Sequence, residues 1–193
     1  MPTAEKRFIS PEEYLKIERA SEIRHEYYNG EMFAMTGASR PHNVIAGNIF
    51  AELWAQFRDR DCETYQSDMR VKVDRKGLYT YPDVVATCDS PTFEDDELDT
   101  LINPRVIVEV LSKSTEDYDR GTKFETYRRI PSLRDYILVA QDRVHVEHFQ
   151  RQDGERWILE DFNTREGTLT LDSIACELRV ADVYTKLTFD ETT

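Results

Sequence analysis

The chain has 193 residues, with 25 Lys and Arg against 38 Asp and Glu, a formal net charge of −13. That length suits one domain, and 39% hydrophobic residues with 10 Tyr, 9 Phe and 2 Trp supply a core, which excludes wholesale disorder despite 33% charged residues. No run approaches the roughly 20 apolar residues of a membrane helix, and the opening MPTAEKRFIS has no apolar signal core, so a soluble, cytoplasmic protein is expected.

Ser10-Pro11-Glu12-Glu13 is a capping box with Pro in the first turn and predicts a helix from Pro11 to about Arg19. Asn29-Gly30 lies between the alternating segments Ile23 to Tyr28 and Glu31 to Met35, a hairpin signal because both turn residues tolerate positive φ. Glu26 then sits on the first hairpin strand. From Pro41 to Arg58, Ile45, Ile49, Leu53 and Phe57 recur every four residues, which predicts an amphipathic helix with His42 in its first turn.

Leu78 to Thr87 and Val106 to Ser112 read as central strands, the second almost continuously β-branched. Between them, Asp89 to Asp99 holds six acids and no base and is expected as a solvated loop or short irregular segment. Ser114-Thr115 suits an N-cap for a helix from about Glu116 to Ile130, stopped by Pro131. Arg134 to Ala140 is another strand. Beyond Val144, alternating apolar residues around an Asp153-Gly154 turn, Trp157 to Glu160, and Thr168 to Leu171 predict antiparallel hairpins appended to the core. The expected fold is mixed α/β (α+β): one domain over 1–193, with its core at about 10–140 and a hairpin extension at about 141–193.

Cys62, Cys88 and Cys176 are widely spaced with no C-x-x-C pair, which argues against a disulfide framework or zinc finger and leaves buried free thiols as the expectation. The acidic balance argues against coating nucleic acid by bulk charge, while a locally basic cleft stays open.

Asp83 and Glu109 stand out, because an acid inside an apolar strand pays for desolvation unless it meets a cation or a hydrogen-bond donor. On neighbouring strands the two carboxylates would converge on one hard divalent cation, which commonly takes one or two protein carboxylates and several waters. The ordinary alternative is a pair of unrelated ion-pair partners. Lys123 and Tyr127 are spaced i, i+4 on the helix that follows the Glu109 strand, and the face of such a helix packs back over its sheet. Lys123 would then reach the carboxylates; its ordinary alternative is a surface pair with Asp119 at i−4.

The segments EYYNGE, YPDVV, VIVEVLSKST and DRGTKFETY, in this order over roughly Ser10 to Ala140, resemble the restriction-endonuclease family of the Uma type within the PD-(D/E)XK nuclease superfamily. The resemblance implies a restriction-endonuclease-like mixed sheet flanked by helices, and magnesium or manganese held by Asp83, Glu109 and the Val110 carbonyl. It also implies that Glu26, from the E-x-x-x-G-E stretch, completes the catalytic set. The superfamily's usual lysine two residues after the second acid is Leu111 here, and Lys123 is the substitute the resemblance suggests, with Tyr127 one turn on and Lys113 a weaker candidate. His42 would support the site by bonding a phosphate or Glu26, or else pack as a first-turn core residue. The other histidines, His25, His145 and His148, are expected to be structural or exposed.

The site residues suggest hydrolysis of a DNA phosphodiester, and the resemblance implies a product with a 5′ phosphate; Arg70, Lys72, Arg75, Lys76, Lys113, Arg120, Lys123, Arg128 and Arg129 are candidate backbone contacts. A nuclease fold kept as a binding or regulatory module is the alternative, motivated by the net charge and the absent in-strand lysine. A homodimer is expected, with the apolar strands after Val144 as interface material or as core.

Overall fold

Ser10 caps the first helix as its spacing requires, its hydroxyl accepting the Glu13 amide at 3.2 Å, and α1 runs Pro11–Ala20. The computed structural model describes residues 8–73, 77–113 and 115–189. The hairpin follows as β1 (His25–Tyr28) and β2 (Glu31–Ala34), with Asn29 at φ 48° and Gly30 at φ 86°, the two positive values a two-residue turn of this hand demands. Helix α2 (Arg40–Phe57) buries Ile45, Ile49, Leu53 and Phe57, the stripe its period predicts.

Short strands come next: β3 (Cys62–Gln66), β4 (Arg70–Lys72), β5 (Tyr79–Thr80), β6 (Val84–Cys88), β7 (Thr100–Leu101) and β8 (Val106–Leu111). The expected single strand from Leu78 to Thr87 is therefore two strands in two sheets. Pro82 lies between them, where a residue without an N–H cannot continue a ladder. After β8, the helix α3 is α-helical over Glu116–Tyr118, π-helical over Asp119–Lys123 and α-helical again over Phe124–Tyr127. It stops short of Ile130. Thr115 occupies its N-cap without a side-chain cap bond, and Ser114 lies outside the described residues. The chain ends in β9 (Asp135–Ala140), β10 (Val146–Arg151), β11 (Trp157–Phe162), β12 (Thr168–Leu171), β13 (Cys176–Arg179) and the short α4 (Val180–Val183).

The strands form a five-stranded sheet in the order β2-β1-β5-β4-β7, a six-stranded sheet in the order β11-β10-β9-β8-β6-β3, and the hairpin β12-β13. Only a crossover can join neighbouring parallel strands, and α3 makes that connection between β8 and β9. β8 and β9 are buried along their whole length, as their near-continuous apolar sequence requires.

The period of two assigns each face of the six-stranded sheet. Val84, Ala86, Val106, Val108 and Val110 pack with the apolar stripe of α2 and with Leu169, Leu171 and Leu178 of the last hairpin. Val85, Ile107 and Leu111 face the other way, toward Tyr127, Ile130, Val71 and Leu101. Glu109 shares that second face by its parity with Ile107 and Leu111, so the one acid of β8 is aimed at α3. Each fully buried Leu or Ile contributes about 1.5–3 kcal/mol to these two cores.

Two expectations are corrected by the packing. Cys62 and Cys88 stand directly opposite each other in the β3–β6 ladder and form a disulfide, leaving Cys176 as the buried free thiol. Spacing along the chain hid this pair because β3 is a polar strand with weak alternation. The acidic segment is docked rather than merely solvated: Arg19 binds Asp95 and Asp99, Arg70 binds Asp99 at 2.7 Å, Lys72 binds Glu94, and Arg105 binds Asp89. Of the strands after Val144, Val146, Leu169, Leu171 and Leu178 are core, while Ile158 and Leu159 on the edge strand β11 are exposed. No helix among the described residues is long and apolar enough to cross a membrane.

Candidate active site

Three elements bring the acids together. Asp83 lies in the bend between β5 and β6, and its Oδ2 accepts the backbone N–H of Val110 at 2.7 Å, which ties the start of β6 to the end of β8. His42, in the first turn of α2, places Nε2 3.2 Å from the same Oδ2. The contact predicted for His42 with Glu26 is thus replaced by one with Asp83. His42 Nδ1 is buried and has no hydrogen-bond partner among the described residues.

Glu109 is 4% exposed, and its Oε1 accepts from Tyr127 Oη at 2.8 Å and from Lys123 Nζ at 3.0 Å. Tyr127 Oη in turn pairs with Thr80 Oγ1 at 2.8 Å, so β5 of the five-stranded sheet holds the ring in place. Lys123 also lies 3.2 Å from Glu26 Oε1 and 3.3 Å from Asp119 Oδ1, over the ring of Tyr118. Asp119 is 3% exposed. The i, i+4 pair read as a possible surface contact is therefore buried inside the cluster, and Asp119 joins it as a carboxylate that sequence reasoning left out of the site. The π-turn from Asp119 to Lys123 is a distortion often found where a helix serves a site.

The structure thus brings Glu26, Glu109, Lys123 and Tyr127 into one contact network and joins Asp83, His42 and Val110 beside it. Lys113 stands apart, exposed beyond the end of β8, and Leu111 is core. Among the proposed backbone contacts, Arg70 is buried and Lys72 is paired with Glu94, so neither is free for a ligand; Arg75 and Lys76 lie outside the described residues.

The electrostatics are lopsided. Burial raises the Glu109 carboxyl well above the usual carboxylate range; Lys123 pulls against that shift, while Asp119, Asp83 and Glu26 add to it. Burial also raises Asp119, again opposed by Lys123. For Lys123, burial favours the neutral amine, but Glu109, Tyr127, Glu26 and Asp119 outweigh it and hold the ammonium charged. Several acids thus face one lysine.

That surplus of negative charge would suit a divalent cation. Among the described residues, no three His, Cys, Asp or Glu side chains are arranged to hold a metal by themselves. Asp83 and Glu109, however, each keep one oxygen with no hydrogen bond from any described residue, Asp83 Oδ1 and Glu109 Oε2. Two carboxylates with waters suit magnesium or manganese, which dehydrate reluctantly. The donor set fits.

A mixed sheet with a parallel β8–β9 pair, an acid leading into β6 and an acid within β8 defines a restriction-endonuclease-like fold. A crystal structure described as a putative nuclease belonging to DUF820, from Anabaena variabilis ATCC 29413, superposes with a TM-score of 0.74 over 91% of this chain and 97% of that one, at 18% identity. The sequence matches the Uma2 family, described as "Putative restriction endonuclease", over residues 11–183, and the chain belongs to that family. Two relatives from Synechocystis sp. (strain ATCC 27184 / PCC 6803 / Kazusa) are named only as uncharacterized proteins. The protein slr1290 is 36% identical over 94% of both chains, and sll1609 is 35% identical over 82% of this chain and 90% of its own.

Proposed function

We propose that the protein is a divalent-metal-dependent endonuclease that hydrolyses DNA phosphodiester bonds. The observation that carries this reading is the excess of buried carboxylate around one lysine. An ion-pair network kept for stability would match its charges, because each unpaired buried carboxylate costs free energy. Asp83 and Glu109, with the Val110 carbonyl, would hold magnesium or manganese, which would supply a polarised phosphate and a more acidic water.

The chain's own residues do the rest. Val110 N–H and His42 hold Asp83 by one oxygen and leave the other free. Tyr127 and Lys123 do the same for Glu109. Lys123, charged and fixed by three carboxylates, orients a water for in-line attack and offsets the negative charge that builds on the phosphate. Glu26 and Asp119 keep that ammonium protonated and aimed. In-strand lysine is unnecessary on this arrangement, since the helix supplies the amine from the opposite side.

The test is cleavage of a mixed DNA pool at low salt with magnesium or manganese, comparing wild type with Asp83→Ala, Glu109→Gln and Lys123→Met. Loss of cleavage in folded variants is the expected result. A wild-type protein that binds manganese and cuts no nucleic acid would sink the nuclease reading.

A further inference from the structure

Beside the carboxylate cluster, a cavity of about 650 Å³ opens between the start of α2, the ends of the parallel strands β8 and β9, and the segment 186–189. It adjoins the cluster through the chain itself: Ser39, Arg40 and Pro41 precede His42, and Leu111, Ser112 and Lys113 follow Val110. The carboxyl ends of parallel strands are where open α/β sheets hold their ligands. We propose that this cavity is a nucleotide subsite that takes one unpaired nucleotide of a single DNA strand next to the bond to be cut, a proposal that rests on the nuclease reading and names its substrate class.

Three features fix the occupant. The first is charge. Glu116 pairs with Arg120 at 3.0 Å, which it shares with Glu147, and with Arg143 at 3.9 Å, and Asp142 pairs with Arg143 at 3.0 Å. Arg40, Lys113 and Lys186, all exposed at the cavity, make no ion pair or hydrogen bond with any described residue. Three such cations around one cavity, in a chain with a net charge of −13, suit an anion carrying more than one phosphate group.

The second feature is the wall. Leu111, Ala140 and Leu187 are buried and apolar, and the ring of Phe189, set edge-on to Tyr184 at 5.5 Å, lies at the side. An apolar wall with an aromatic ring suits a base, because every base has a face that stacks on such a ring. The third is size. The volume falls in the range of about 300–1,000 Å³ that buries a small organic ligand. It is far too large for a lone phosphate and too small for a duplex, whose major groove alone is about 12 Å wide.

The cavity is also rigidly edged. Gln141 donates from Nε2 to the Leu111 carbonyl at 2.9 Å and accepts from the Ser39 hydroxyl through Oε1, so it fastens the end of β8 to the start of α2. A nucleotide held there would lie against Pro41 and Leu111, the chain neighbours of His42 and Val110.

The test uses the full chain in EDTA with a fluorescein-labelled single-stranded pentathymidylate, followed by fluorescence anisotropy. Phe189→Ala is expected to weaken binding about tenfold, the effect of removing one base stack. Lys113→Ala with Lys186→Ala is expected to weaken it further and to lower the slope of log affinity against log salt by about 0.7 for each phosphate no longer neutralised. An unlabelled hairpin duplex is expected to compete at least about tenfold more weakly than unlabelled pentathymidylate. Phe189→Leu, which keeps apolar volume without the ring, guards against misfolding: it should bind like Phe189→Ala while melting like wild type.

Wild-type affinity in all these variants, equal competition by the duplex, or no binding by wild type overturns the subsite. Pocket-dependent binding without cleavage in any metal keeps the subsite and removes the nuclease reading. Asp83-dependent cleavage with wild-type binding in the pocket variants does the reverse.

Discussion

Two clusters of buried charge flank the five-stranded sheet, and they are built on opposite plans. On its outer side, Arg70 donates to Thr100 Oγ1 at 2.9 Å and to Tyr81 Oη at 3.0 Å and pairs with Asp99. Tyr81 donates on to Glu18 Oε1 at 2.9 Å, and Glu18 holds His25 through the backbone N–H and Nδ1. Each cation here meets an acid directly or through one hydroxyl, Asp99 by an ion pair and Glu18 through Tyr81, so the charges match. Around Lys123, by contrast, three carboxylates crowd one ammonium and a fourth waits at Asp83. The first plan is what buried charge looks like when it holds a fold together; the second has more acid than base, the imbalance on which the proposed metal site rests.

The largest expected difference between the clusters is in cleavage. Glu109→Gln keeps an acceptor for Tyr127 and Lys123 but removes the charge, and should lower the cleavage rate at least about a thousandfold, a magnitude in line with losing a principal electrostatic contributor. The same change relieves like-charge crowding, so the melting temperature should rise by about 2–4 °C, which corresponds to about 1 kcal/mol for a chain of this size. A stabilised, inactive variant is the signature of a site; a destabilised one would place Glu109 with the structural cluster.

Arg70→Ala should show the converse. It strips hydrogen bonds from buried partners and should cost about 2–3 kcal/mol in urea unfolding, the worth of bonds to a charged group. Cleavage per folded molecule should be unchanged. If Arg70→Ala abolished cleavage at wild-type stability, the division between the two clusters would be wrong.

The structural cluster should also have its own acid sensitivity. Arg19, then Arg70 and Thr100, hold the Asp99 carboxyl far below the usual carboxylate range. A depressed folded-state value means that the unfolded chain binds the proton first, so this stabilisation is complete above the unfolded carboxylate range, near pH 4, and is lost as the pH falls through the folded value. Asp99 is 36% exposed, so the effect is modest. Wild type should lose more melting temperature than Asp99→Asn between pH 5 and pH 2.5, and parallel curves would refute it.

How far the sequence carries differs between these regions for a physical reason. The hairpin at Asn29-Gly30, the stripe of α2 and the buried run of β8 are legible because each depends on local chemistry: positive φ, a period near 3.6, unbroken β-branched residues. The facing of Glu109 toward Lys123 and Tyr127 is legible too, since strand parity and helix spacing both follow from residue number. Partners distant along the chain are not. Tyr79–Thr80 and Val84–Cys88 read as one strand because nothing local tells that Pro82 passes the chain from one sheet to another. Cys62 and Cys88 meet only through a strand too polar to be seen, and Asp119 looks like half of a surface pair until the helix is laid on the sheet.

The smallest prediction uses two serines with the same local task. Ser10 accepts the Glu13 amide and Ser39 accepts the His42 amide, each at 3.2 Å, so Ser10→Ala and Ser39→Ala should each cost about 1 kcal/mol of stability, the ordinary worth of an N-cap. Their surroundings differ. Ser39 also donates to Gln141, which fastens the end of β8, and the His42 it caps touches Asp83. Ser39→Ala should therefore raise the KM for DNA cleavage several-fold at matched folded fraction, and Ser10→Ala should leave it unchanged. Equal kinetics in the two variants would mean that the first turn of α2 holds the helix and nothing more, and that the position of His42 is set by its contact with Asp83 alone.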